Sequence, residues 1–426
     1  MNTIVAVGAK LDVVHHVLLT LAVVLVVGSV LGQAMRAIGQ PAVIGEITAG
    51  IVLGPSLLGA VSPGTLHLLI PDAAVDPKGQ VTAALEAVSQ IGLVLYMFLI
   101  GLELNTRKLA SQVRTATAVS FAAVTVPFML GAVLALGLFP NYGTGDYNVT
   151  SFALFLGAAI SITAFPVLAR ILTDRGLATS GLGTLALGCA AADDAIAWCL
   201  LALILGFAQS NLVQAAMVIG GVLAFIAFMV VVVKPLSVRI LQQQGDREAS
   251  SWFAPAVYLG ILLAALMTEG LGIHAVFGAF LFGAVLPKNS LALAGLAGRM
   301  RDPVMVLLLP AFFAVTGLRT RLLLIDDAED WLWCVAIIAV ATVGKFGATY
   351  AAARLTGMAR RESAALGSLM NTRGLMELIV LNIGLELGII SETLFAMMVV
   401  MALVTTAATA PLLALFTRER GLTEPR

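Results

Sequence analysis

From its N-terminus the chain repeats one pattern, runs of about 20 apolar residues separated by short stretches holding Arg, Lys, Asp, Pro and Gly. A helix rises 1.5 Å per residue, so a run of about 20 apolar residues crosses the hydrocarbon core of a bilayer. Thirteen stretches are long enough, near 14–36, 41–60, 84–104, 113–139, 151–172, 180–208, 211–240, 252–268, 270–287, 302–318, 331–354, 362–388 and 392–416. The ten-residue alternating segments of a membrane β-barrel are absent. The pattern predicts an all-α membrane protein with about 13 transmembrane helices. The first run is read as a helix rather than a cleaved leader. Lys10, Asp12, His15 and His16 precede it instead of a dense basic region, and no small-residue cleavage site follows.

The basic residues orient these segments. With the N-terminus outside, four of the 24 Lys and Arg (Lys10, Lys78, Arg319 and Arg321) fall on the outer side. Lys345 and Arg373 fall within membrane segments, and the remaining 18 fall on the cytoplasmic side. Cytoplasmic loops carry the basic excess in membrane proteins, so the bias predicts an external N-terminus and a cytoplasmic C-terminus in an inner or plasma membrane.

Composition sharpens this picture. The chain is 60% hydrophobic and 11% charged, where a soluble domain averages about 25% charged, so most of its surface must face lipid. Its formal net charge of zero argues against nucleic-acid binding. Cys189, Cys199 and Cys334 lie singly in apolar runs and read as packing residues, with no disulfide or zinc spacing. Neither a dinucleotide fingerprint nor a Walker sequence is present, so no cofactor is expected.

The fifth and twelfth segments are interrupted by polar and helix-breaking residues, and they lie seven segments apart. An odd offset makes the two copies opposite in orientation. Segments 1–6 and 8–13 are therefore expected to form an inverted repeat joined by the seventh, with the interruptions marking the transport site.

The chemistry sits in the same places. Asp193 and Asp194 are adjacent in the middle of the sixth segment. An acid at the bilayer centre costs about 2.5–3.5 kcal/mol, and neighbouring helical residues point about 100° apart, so the two carboxylates must meet different surroundings. Lys345, deep in the eleventh segment, needs an anionic partner, and Asp193 or Asp194 is the natural one. The fifth segment contains Ser161-Ile162-Thr163-Ala164-Phe165-Pro166. Pro166 has no N–H for the Ile162 carbonyl, so a freed carbonyl and two hydroxyls are expected to form a cation-ligating break. In the twelfth segment, Asn371, Thr372 and Gly374 are expected to break the helix, and Arg373 and Glu377, four apart, can pair on one face. Glu46 reads as mainly structural, Glu103 as a wetted helix end and His274 as packing. Gly181, Gly183, Gly278 and Gly283 read as sites of close helix contact.

Several of these stretches together resemble one family. Gly45-Glu-Ile-Thr-Ala-Gly50 through Gly54-Pro55, Phe98-Leu-Ile-Gly-Leu-Glu103, Ser161 to Arg170, Asp193-Asp194, and Asn371-Thr-Arg-Gly-Leu-Met-Glu377 look like the monovalent cation:proton antiporter-2 family across residues 14–416. The resemblance implies a homodimer of two-part protomers with an inverted-repeat antiporter fold and two crossing broken helices. Helices 4–6 and 11–13 would be the ion-translocating core, and helices 1–3 and 8–10 the dimerisation part. The acidic site maps onto Asp193 and Asp194, its lysine partner onto Lys345, and the crossing breaks onto Ser161–Pro166 and Asn371–Gly374. Many relatives continue into a cytosolic nucleotide-binding domain, and no such domain is expected within this chain.

Taken together, the expected function is exchange of protons for Na+ or K+, and the protein is not expected to be an enzyme. Asp194 would take either a proton or a dehydrated cation, with Thr163 and freed carbonyls completing its shell. A passive channel or sodium-coupled symporter on the same repeat is the alternative. An intramembrane aspartyl protease needs two acids facing each other across a water, which adjacent residues on one helix do not supply.

Overall fold

The structure is a computed structural model that describes residues 12–72, 75–144, 148–208, 212–244, 252–318, 325 and 327–417. Lys10, Arg247, Arg319, Arg321, Arg418, Arg420 and Arg426, which enter the orientation argument, lie outside them. In chain order the helices are α1 (Val13–Ala37), α2 (Ala42–Leu53), α3 (Leu58–Val61), α4 (Pro63–Leu69), α5 (Gln80–Glu103), α6 (Thr106–Ser111) and α7 (Val113–Tyr142). Next come α8 (Val149–Ser161), α9 (Phe165–Asp174), α10 (Gly181–Ala208), α11 (Leu212–Phe228), α12 (Lys234–Gln244), α13 (Phe253–Gly270) and α14 (Ala275–Val285). The last are α15 (Leu291–Pro303), α16 (Leu309–Leu318), α17 (Ala328–Leu355), α18 (Arg360–Met370), α19 (Leu375–Glu386) and α20 (Glu392–Thr417). Single π-helical turns, Met229–Val233 and Val304–Leu308, join α11 to α12 and α15 to α16.

Among the described residues, 11 helical spans are long and apolar enough to cross a membrane. Two expected crossings fall outside that set for local reasons: α14 has 11 residues, and the twelfth segment is broken into α18 and α19. The span matching the tenth expected segment begins earlier than the sequence suggests, at Leu291 instead of near 302. Leu293, Leu296 and Met300, spaced by three and four, give the supposed basic loop a buried apolar stripe, and that stripe makes it helical.

The chain divides into two compact units. The first comprises residues 1–96 and 301–326. Glycines set its helix crossings. A Cβ at Gly45 would lie 2.5 Å from the Leu31 carbonyl, and one at Gly50 would lie 2.0 Å from the Ala314 carbonyl. Backbones approach that closely only where no side chain intervenes. The Thr20 hydroxyl donates to the Leu69 carbonyl (2.7 Å), and Nδ1 of His16 lies 2.8 Å from the Leu68 carbonyl, pinning α1 to the end of α4. Glu46, read as structural, is 4% exposed.

The second unit, residues 97–300 and 327–426, holds both interrupted helices. The span Val149–Asp174 is 94% buried, whereas Val213–Ile240 is 17% buried and turns Val213, Met217, Leu223 and Val231 outward. The first is therefore the protein-enclosed centre of this unit, and the second is an outer apolar face of it. Gly278 and Gly283 are close-contact glycines as read, with Cβ positions 2.1 Å from the Ala264 carbonyl and 2.3 Å from the Phe98 carbonyl. Gly181 and Gly183 are not. Gly181 faces open space, and Gly183 closes on the Leu177 carbonyl of its own turn. His274 caps α14 and lies beside Trp198, with ring centroids 6.1 Å apart and planes tilted by 40°.

Candidate functional site

The fifth membrane segment folds as two half-helices because its middle cannot continue the ladder. α8 ends at Ser161, Ile162 is extended (φ −67°, ψ 138°), and α9 starts at Phe165. Pro166 thus lies in the first turn of α9, not inside a continuous helix. A proline there gives up an N–H that has no intrahelical partner anyway. The break precedes the proline, and the proline starts the second half.

The twelfth segment breaks at Asn371–Gly374, between α18 and α19. The two breaks meet, as the Ala164 amide of the first donates to the Thr372 carbonyl of the second at 3.0 Å. A Cβ at Gly374 would lie 2.8 Å from Cγ2 of Val167 and 3.3 Å from Cβ of Ala164, so glycine permits the crossing.

α10 presents its acids here. Asp193 is fully buried, and its Oδ2 accepts from Nζ of Lys345 (3.0 Å) and from the Thr163 hydroxyl (2.9 Å). Lys345, also fully buried, donates in addition to the Ser161 carbonyl (2.5 Å). The ammonium therefore neutralises a carboxylate and caps the carbonyl end of α8 at once. Asp194 is 4% exposed and forms no hydrogen bond or ion pair with the described residues.

The site brings together most of the residues singled out from the sequence, with several partners exchanged. Thr163 binds Asp193, not Asp194. The Ser161 hydroxyl turns back to the Ala158 carbonyl (2.8 Å), so only its carbonyl faces the cluster. The Ile162 carbonyl is not free, because Nη1 of Arg373 donates to it at 2.6 Å. Arg373 and Glu377 do not form the expected hydrogen-bonded pair. Arg373 lies in the break rather than on a helix, and its Nη1 is taken by the Ile162 carbonyl, so the four-residue spacing yields an electrostatic interaction with Glu377 but no hydrogen bond among the described residues. The Thr372 hydroxyl donates to the Leu369 carbonyl (2.7 Å), and Oδ1 of Asn371 is buried with no partner among the described residues.

The last helix, α20, was expected from the sequence, but not the part its threonines play at the second break. The Thr406 hydroxyl oxygen accepts from the Arg373 amide (3.0 Å) and donates to the Arg373 carbonyl (2.6 Å), bracing both backbone groups that the break orphans. Thr409 lies 3.3 Å from the Thr372 hydroxyl. The available signal was three threonines, Thr405, Thr406 and Thr409, on one apolar segment.

Two half-helices crossing at their unwound centres, with a buried acid–lysine pair against them, define a secondary-transporter type of membrane protein. The chain belongs to the family described as sodium/hydrogen exchanger, transmembrane, whose model matches residues 7–415. It is 43% identical over 401 residues to the Na(+)/H(+) antiporter NhaS4 of Synechocystis sp., covering 93% of this chain and 96% of that protein. It is 37% identical to Cation/H(+) antiporter 17 of Arabidopsis thaliana and 34% identical to K(+)/H(+) antiporter 1 of Saccharomyces cerevisiae. Those matches cover 96% and 88% of this chain but only 49% and 43% of the longer relatives. The fold is that of the sodium proton antiporter MjNhaP1 from Methanocaldococcus jannaschii, with a TM-score of 0.66 at 14% identity over 97% of this chain and all of that one. The all-α, inverted-repeat architecture with two crossing broken helices is thus the observed one.

Proposed function

We propose that the protein is a secondary antiporter exchanging protons for a monovalent cation, Na+ or K+. The observation that carries this reading is the unequal acid pair. Asp193 is locked to Lys345, whereas Asp194 beside it has no hydrogen-bond or ion-pair partner among the described residues and keeps slight exposure. An unpaired carboxylate at this depth is costly until something neutralises it, and either a proton or a dehydrated cation can do so. Occupancy by one excludes the other. If Asp194 faces the two sides alternately, each fluxes against the other and no cofactor is needed. Thr163 and the carbonyls of Ser161 and Ile162 complete the cation shell once their present partners release them. In this reading helices 4–6 and 11–13 move against helices 1–3 and 8–10, which also form the homodimer contact. The N-terminus lies outside an inner or plasma membrane and the C-terminus in the cytoplasm. Support comes from the names of the relatives, which include both Na+ and K+ exchangers, and from the basic-residue bias.

The test is proton flux in proteoliposomes with Na+, K+, Li+ and Rb+ in turn. A cation gradient alone is expected to dissipate an imposed pH gradient, with no organic solute present. Asp194→Asn is expected to lower the rate at least 100-fold while the purified protein stays folded, because an amide carries no proton. The cation KM is expected to fall with rising pH, by up to about 10-fold per unit, because proton and cation compete for one group. Near wild-type exchange by Asp194→Asn would overturn the assignment.

A further inference from the structure

Two buried groups beside the site are left incomplete. Arg373 is fully buried, yet of its five N–H donors only Nη1 has a partner, and Nε and Nη2 have none among the described residues. Glu377 is also fully buried, and neither carboxylate oxygen has a hydrogen-bond partner among the described residues. Arg373 lies in the second break and Glu377 in the first turn of α19 just after it, and the two interact electrostatically. The other charged groups acting on this pair are Lys345 on α17 and Asp193 on α10. α20 contributes Thr406 to the same break. A guanidinium and a carboxylate that are both dry, both short of partners and four residues apart are poised to bind each other.

That they are not hydrogen-bonded to each other has a consequence for the cation. By holding the Ile162 carbonyl, Arg373 places a positive charge on an oxygen that a cation would need. We propose that Glu377 is the alternative acceptor for Arg373. In the cation-loaded state the guanidinium leaves the Ile162 carbonyl for Glu377, and the freed oxygen joins the shell around the cation. Glu377 is then a positioning residue, acting through Arg373 without touching the ion. The choice of partner sets whether the crossing is open to a cation or closed by a protein charge standing in its place. This rests on the exchange reading above.

The test measures cation-driven proton flux in proteoliposomes for wild type, Glu377→Gln, Glu377→Asp, Arg373→Met and the double variant Arg373→Met/Glu377→Gln. Each protein is also checked by size exclusion and thermal melting. Glu377→Gln removes the charge that draws Arg373 away, so the cation KM is expected to rise about 10-fold with kcat within two-fold. Glu377→Asp keeps the charge on a shorter arm and is expected to fall between, and it carries the argument should the Gln variant not fold. The Arg373→Met protein has nothing covering the carbonyl. Adding Glu377→Gln to it is expected to change KM by less than two-fold, a coupling that a merely structural glutamate would not produce. A wild-type KM in Glu377→Gln, or an equal rise with and without Arg373, overturns the proposal. Wild-type protein that drives no cation-dependent proton flux overturns the exchange reading itself, and is told apart because it appears before any substitution.

Discussion

The two broken helices solve the same problem in opposite ways. Each leaves backbone carbonyls and amides unpaired at membrane depth, where no bulk water satisfies them. At the first break the orphans are carbonyls, and cationic side chains from elsewhere cover them: Lys345 on Ser161 and Arg373 on Ile162. At the second break the Arg373 amide and carbonyl both go to one neutral hydroxyl, that of Thr406. The first break is thus held by charges and the second by a neutral brace, and on the proposed exchange reading an arriving cation would displace the former and not the latter. On that reading, the difference bears on where the ion would enter. A carbonyl covered by a cation is a site a cation can take, whereas an amide and carbonyl closed on a threonine are scaffold.

The comparison is broken most severely at Lys345. Lys345→Met is expected to cost about 3–5 kcal/mol, because Asp193 is left buried and unpaired. Replacing both charges, Lys345→Met with Asp193→Leu, is expected to recover much of that. Thermal melting of the purified, cation-free protein reads the outcome, and a double variant no more stable than the single one would remove the case for a charge-held first break.

A smaller loss is expected at the second break. Thr406→Val leaves the Arg373 amide and carbonyl buried and unsatisfied, costing about 1–3 kcal/mol, while Thr406→Ser keeps the hydroxyl and most of the stability. If the brace is scaffold alone, the cation KM of Thr406→Ser stays at the wild-type value. A shifted KM would show that the second break also takes part in binding.

The smallest effect belongs to the proline. Pro166 stands in the first turn of α9, after the break, so Pro166→Ala is expected to change stability by less than about 1 kcal/mol and to leave the half-helices separate. A large gain in melting temperature with loss of transport would mean that the alanine lets α8 and α9 fuse, and that the proline maintains the gap.

How far the site was legible in the sequence follows from the kind of interaction. Asp193, Asp194 and Lys345 stand out because ionisable residues in apolar runs are costly wherever they lie, so their presence alone marks function. The two breaks were legible for the same reason: Ser161–Pro166 and Asn371–Gly374 cannot carry an uninterrupted helix at low cost. The partner choices were not. Whether Thr163 reaches Asp193 or Asp194, and whether Arg373 takes Glu377 four residues away or a carbonyl 211 residues away, depends on how helices distant in sequence cross. Thr406 was marked only faintly, by its grouping with Thr405 and Thr409, and nothing along the chain says which backbone groups those hydroxyls meet.

By itself, then, the sequence determined that the chain spans a membrane, roughly where each helix runs, that two of them are interrupted, and which charged side chains have no affordable place except a site. Hydropathy and the cost of buried charge are local properties, readable residue by residue. Only the tertiary structure decided which carboxylate is neutralised by Lys345 and which is left open, and that Arg373 rather than a free carbonyl faces the crossing. Pairing at low dielectric is settled by distances of a few ångströms between segments, and those distances are set by packing such as the glycine-sized gap at Gly374, not by the order of residues along the chain.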